Sequence, residues 1–69
     1  MNDRCKIQGL FDEDNQETLY WNNDIGWVDE GAATIFDREE IPLLNMPEGA
    51  VALAWLRHDE ETIHNIEPF

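Results

Sequence analysis

Between Asp12 and Asp37 the chain reads DEDNQETLYWNNDIGWVDEGAATIFD, and this stretch constrains the fold more than any other. It holds Trp21, Trp27 and Tyr20, the only tyrosine, which are the large rings a small core is built around. It also holds Asp12, Glu13, Asp14, Glu17, Asp24, Asp29, Glu30 and Asp37, with no lysine or arginine. A core and a surface of one sign are written into the same residues. Strands separate the two, because successive side chains point to opposite faces.

Taken in order, the chain begins with an alternating segment from Arg4 to Phe11. Cys5, Ile7 and Phe11 share one side with Gly9 between them, and Arg4, Lys6 and Gln8 share the other, as in a half-buried strand. Asp12 to Asn15 is a turn of residues that bond their own backbone. Glu17 to Asn22 alternates again, with Thr18, Tyr20 and Asn22 on one face and Leu19 and Trp21 on the other. A second turn ends at Gly26, which is free to take a positive φ. A third strand opens at Trp27-Val28, giving a three-strand meander. Ala32 to Phe36 reads as a brief fourth strand or a bridge into a helix. Asp37 with Glu40 has the Asp-x-x-Glu spacing of a capping box, so a short helix is expected there, limited or restarted by Pro42. Leu43, Leu44 and Met46 would seat it on the sheet. Ala50 to Leu56 is apolar on both faces, as in a central strand with the helix close over Ala52 and Ala54. After a polar turn at 57–61, Thr62 to Ile66 reads as a final edge strand, with a short helix capped by Asp59 as its rival. The expected class is α+β: a small antiparallel sheet of four to five strands, starting as a meander, with one short helix packed on one face.

At 69 residues the chain is a single compact domain, 1–69, and one this short hides only about 60% of the surface its unfolded form exposes. A hydrophobic fraction of 42% suffices for one core and argues against disorder. No apolar run approaches the ~20 residues of a membrane span, and the start lacks a signal-peptide core, so a cytoplasmic location is expected. Cys5 is the only cysteine, which excludes a disulfide framework and suits a small buried hydrophobe.

Sixteen acids against four bases give a net charge of −12. Solubility alone needs a magnitude of roughly 2–8 in a small domain. A compact chain of this length has a radius of gyration near ~11 Å and a diameter of roughly 28 Å, hence about one net charge per 2.3 Å. Duplex DNA carries one per ~1.7 Å of axis. Composition therefore points to a basic partner and away from nucleic acid as a direct ligand.

Specific chemistry is poorly supported. Asp12-x-Asp14 with Glu17 suggests a calcium loop, but the later positions hold Gln16, Glu17 and Asn23 where the pattern needs an Asp or Asn, a Gly and a Glu. His58 and His64 lack a third ligand at zinc spacing. No nucleophile triad or phosphate loop is present, and the chain is too short to wall a pocket that dehydrates a catalytic carboxyl. No enzyme activity, metal or cofactor is expected.

The placement of the acids is more informative. In the meander the Asp12–Asp14 turn and the Asp29-Glu30 turn lie at one end of the sheet, with Asp24 at the other. A ridge of carboxylates can stand in for phosphates, because arginine grips both by the same two-pronged geometry. The candidate partner-facing residues are Asp12, Glu13, Asp14, Glu17, Asp24, Asp29 and Glu30. Tyr20 is a candidate anchor, since tyrosine is favoured at interfaces and takes arginine on its face.

Tyr20-Trp21-Asn22-Asn23, Gly26-Trp27-Val28-Asp29, Ala33-Thr34-Ile35-Phe36, the acidic helix start, Leu44 and Pro47-x-Gly49 together resemble short accessory proteins of phages and prophages. These include the DNA-mimicking anti-CRISPR inhibitors of type I systems. The resemblance spans roughly residues 20 to 50 and carries over no functional residue. It implies a mode of action, in which a tiny acidic monomer occupies the DNA-binding groove of the Cascade complex without binding nucleic acid itself. The alternative is a small acidic structural or regulatory subunit that docks on a protein through an aromatic face.

Overall fold

The computed structural model describes residues 4–57 and 62–68. Six strands form one antiparallel sheet: β1 Arg4–Asp12, β2 Glu17–Asn22, β3 Gly26–Val28, β4 Phe36–Asp37, β5 Ala52–Leu56 and β6 Ile63–Pro68. Their order is β3-β2-β1-β5-β6, and β4 also pairs with β1. The meander over the first three strands is present, β5 is central, and β6 is an edge strand. The 57–61 turn lies mostly outside the described residues.

β1 is the axis of the sheet. Its first half lies between β4 and β5, with Cys5 opposite both Phe36 and Trp55. Its second half pairs with β2. One face of the sheet carries the core of Cys5, Ile7, Phe36, Leu53 and Trp55. Trp21, Trp27, Ile41, Leu44 and Ala50 pack against it, and Trp21 and Trp27 meet edge to face at 5.2 Å. The other face carries Lys6, Gln8, Tyr20, Ala52 and Ala54, as the registers Gln8↔Tyr20, Gln8↔Ala52 and Lys6↔Ala54 require.

The expected packed helix is absent, so the class is all-β rather than α+β. Among the described residues the only helical pieces are two 3-10 turns, Glu30–Ala32 and Ile41–Leu43. Half of the capping box does form, since the Asp37 amide donates to Glu40 Oε2 at 3.2 Å. Nothing propagates from it. Pro42 has no amide to donate, and in an α-helix begun at Asp37 its ring would clash with the turn before it; Pro47 stops the chain again five residues on. One hydrogen-bonded turn does not repay the entropy of nucleating a helix. Leu43 and Met46, expected against the sheet, face solvent, with Leu43 86% exposed. Leu44, also expected there, does pack against the core, and Ile41 joins it. No helix covers Ala52 and Ala54. Their cross-strand neighbours are Gln8 and Lys6, and Lys6 reaches the 29–35 segment through the Glu30 carbonyl.

Phe11 departs from the expected alternation. The β1–β2 register is Gln8↔Tyr20 but Phe11↔Thr18, so β1 carries one extra residue between them. This bulge puts Phe11 in phase with Gln8 rather than with Cys5 and Ile7, and leaves it 53% exposed. Gly9 sits at the bulge because a Cβ there would lie 2.4 Å from Trp27 Cζ3.

Candidate interaction site

The β1–β2 turn is organised by Asp12. Its Oδ1 accepts from the Asp14 and Asn15 amides, and its Oδ2 accepts from Asn15 Nδ2 at 2.8 Å. These bonds, the Asn15 side chain foremost, hold the Asp12 carboxyl below its usual range. Gln16 reaches a positive φ of 55° to close the turn, and its side chain donates to the Glu13 carbonyl. Glu13, Asp14 and Glu17 are left pointing into solvent.

β3 then returns toward the same end, since Val28 lies opposite Tyr20. From its end, residues 29–35 cross the sheet to bring β4 beside β1. Side chains of the sheet hold the crossing. Lys6 Nζ donates to the Glu30 carbonyl at 2.8 Å, Asn22 Nδ2 donates to the Ala32 carbonyl at 2.7 Å, and the Asn23 amide donates to Thr34 Oγ1. Asn22 Oδ1 also accepts from the Asp24 and Ile25 amides, so one residue ties the β2–β3 turn to the crossing.

Between the crossing and β2 is a hollow of about 440 Å³, lined by Glu17, Thr18, Tyr20, Asp29, Glu30 and Gly31. Lys6 is 7% exposed, and its Nζ lies 3.8 Å from Glu30 Oε2. Tyr20 is also 7% exposed, because the crossing lies over it; it is a wall of the hollow rather than a ring standing open on the surface. The buried side-chain polar atom left without a partner among the described residues is Gln8 Oε1, on the residue opposite Tyr20 in the register. Burial, and then the Glu30 carboxylate, raise the Tyr20 pKa.

Of the eight residues expected to face a partner, seven gather at this end: Asp12, Glu13, Asp14, Glu17, Tyr20, Asp29 and Glu30. Asp24 does not join them, because the β2–β3 turn lies at the opposite end. The arginines lie away from the cluster as well. Arg4 starts β1 eight residues before Asp12, about 25 Å along a strand. Arg57 follows β5 at the same far end, with Nη2 3.4 Å from His64 Nδ1. Arg38 stacks on Trp55, its guanidinium carbon 4.3 Å from the ring centroid, and Trp55 Nε1 donates to Glu67 Oε2. The chain is longer in one direction than a sphere, 35 × 25 × 22 Å, with a radius of gyration of 11.3 Å. Its charge along that axis is about one per 3 Å, sparser than duplex DNA. Six of the sixteen acids form this cluster, so it is a local concentration of charge and not a property of the mean density.

The sequence leads one to pair Lys6 with a nearby carboxylate as a structural charge, and Glu30 is that partner, but sequence reasoning did not place Lys6 in this site. A second depression, about 300 Å³ and mainly apolar, was also missed; Leu10, Leu19, Trp27, Glu48 and Gly49 line it on the core side of the sheet. Leu10 reaches it only because the bulge interrupts alternation. Among the described residues no group of three or more histidine, cysteine or acidic side chains could hold a metal, and no helix is long and apolar enough to cross a membrane. His58 lies outside the described residues. No family model, curated protein or solved structure matches the chain.

Proposed function

We propose that this protein is an anti-CRISPR-like inhibitor, a compact acidic monomer that occupies the basic nucleic-acid-binding groove of a type I CRISPR complex and blocks its target DNA. It would act in the cytoplasm of the host cell. The observation that carries this reading is a local cluster of charge. Six of the sixteen carboxylates, from one turn and one crossing, converge at one end of the sheet, with Lys6 the only base among them. Such an end is drawn to a cationic trough over several ångströms and associates quickly at low salt. The resemblance over residues 20 to 50 names the complex; the charge arrangement names only the kind of surface.

The test is competition. The protein should displace PAM-containing duplex from the Cascade complex, with an affinity that falls steeply as salt rises. Reversing Glu13, Asp14 and Glu17 to lysine should abolish displacement without unfolding the domain. Asp12 is spared in that variant because its carboxylate builds the turn. Binding to the complex that leaves the duplex in place would remove the mimicry reading.

A second reading has its own observation. The apolar depression at Trp27 and the exposed Leu10 and Leu43 give an uncharged docking surface, which suits a small subunit held on a protein partner. A partner captured at high salt, and lost on Leu10→Ser but not on the triple lysine variant, would favour it.

A further inference from the structure

The outer side of β2 is paired along only part of its length. β3 covers Tyr20, Trp21 and Asn22, and no strand among the described residues lies beside Thr18. The chain beyond β3 is held over the face of the sheet instead, where the Glu30 carbonyl accepts from Lys6 Nζ. The backbone at Thr18 points outward. Gln8 turns its carbonyl to the Val51 amide, on the β5 side. Its cross-strand partner Tyr20 therefore turns away from β1 and toward Val28. Direction alternates along a strand, so Thr18 also turns its amide and carbonyl outward, past the end of β3.

This open edge has a hollow on each face. On one face Thr18 and Tyr20 border the hollow walled by Glu17, Asp29 and Glu30. On the other, Leu19 borders the apolar depression with Leu10 and Trp27. An extended segment laid beside β2 meets both at once, because its side chains alternate between the two faces. The residue opposite Thr18 points to the acidic side, and its neighbours point to the apolar side.

We propose that β2 accepts an added strand at Thr18 from a protein partner, an extended segment in which basic and apolar side chains alternate. Main-chain bonds to Thr18 fix the segment on the edge, and the two hollows select its sequence. The apolar side calls for leucine, isoleucine or valine. Leu10 is 64% exposed there, Trp27 is half-buried, and about 300 Å³ has room for one such side chain. The acidic side calls for lysine or arginine. A net charge of −12 repels a second copy of this chain, or any acidic segment, from the same edge. The proposal goes beyond the function proposed above and holds or fails without it.

The probe is acetyl-Leu-Arg-Leu-Arg-Leu-amide, added to the intact chain while amide shifts and hydrogen exchange are followed. Shifts should concentrate at residues 10, 17–20 and 27–31, and the Thr18 amide should exchange about fivefold more slowly at saturation. The same residues ordered acetyl-Leu-Leu-Leu-Arg-Arg-amide keep the charge and lose the alternation. That peptide should bind about fivefold more weakly. Thr18→Pro removes the outward amide where an edge strand tolerates proline, and should weaken the alternating peptide by about fivefold. Thr18→Val keeps the amide and should change binding by less than about twofold. Methylating the backbone nitrogen of the peptide's central leucine and both arginines removes its own donors without touching the protein, and should weaken binding as Thr18→Pro does. Leu10→Ser and Glu17→Gln, one on each face, should each weaken it by about threefold. Equal affinity for the two peptide orders, or an unchanged Thr18 exchange rate, would overturn the proposal and leave charge attraction alone. A dimer of this chain that the peptide dissociates would overturn it in favour of a second copy on the same edge.

Discussion

Gly9 shows how much a single residue carries here. It sits at the bulge of β1 and lets the Trp27 ring lie against bare backbone. A methyl group added there would come within 2.4 to 2.8 Å of three ring carbons. Gly9→Ala should therefore cost about 1–3 kcal/mol by overpacking, read as a lower urea midpoint and a shifted tryptophan emission. Cys5 is a second such residue. It is fully buried between Phe36 and Trp55, and burial pushes its thiol up to about 11 from an ordinary 9.0. The folded chain thus holds that proton to a higher pH than the unfolded chain does. Stability should fall as pH rises from about 9 to about 11, and Tyr20, also raised, adds a loss of the same sign above pH 10.0. Thermal melts across that window check this, and Cys5→Ala should flatten the thiol part. At the acid end Asp12 acts with the opposite sign. Its depressed carboxyl contributes stability above its ordinary 3.8, which is lost as pH falls through the folded value.

At the scale of elements, the crossing from β3 to β4 decides the site. It brings Asp29 and Glu30 back over Tyr20, and its hydrogen bonds come from the Lys6 and Asn22 side chains and the Asn23 amide. Asn22 is the residue most exposed to test, because its amide donates to the crossing while its carbonyl oxygen accepts from the next turn. Asn22→Ala should lower stability by about 1–2 kcal/mol and loosen both segments. Faster amide exchange at residues 24–25 and 30–34 than elsewhere in the sheet would show it. Asn22→Asp should fall between the two, since it keeps the acceptor and loses the donor. The strands themselves were legible: β1 and β2 from alternation, β3 from the turn before it, β5 from a run apolar on both faces and the edge strand β6 from its β-branched residues. The helix was not. Asp37 and Glu40 form a local capping contact in either structure, so the motif cannot distinguish one turn from three. The phase of Phe11 was hidden too, because a bulge is set by what packs across the sheet, here the Trp27 ring against Gly9.

For the molecule as a whole, charge is both the feature to explain and a load on the fold. A net −12 on 69 residues repels itself in the compact state. The melting temperature should rise by several degrees between low salt and about 0.5 M sodium chloride, as screening relieves that repulsion. Binding to a basic groove should respond the other way and weaken over the same range. A protein whose stability and binding both rise with salt would not be working through its charge.

Composition, turn residues and side-chain period are local properties, and they alone settle that this chain is small, anionic and largely strand, with its acids in its turns. Which acids share a surface is not local. It depends on the 29–35 segment crossing the sheet, on a bulge at Gly9 that shifts β1 by one residue, and on three arginines lying at the other end. Those follow from contacts between residues far apart in the chain, such as Lys6 with Glu30 and Gly9 with Trp27, and such contacts exist only once the sheet has closed around β1.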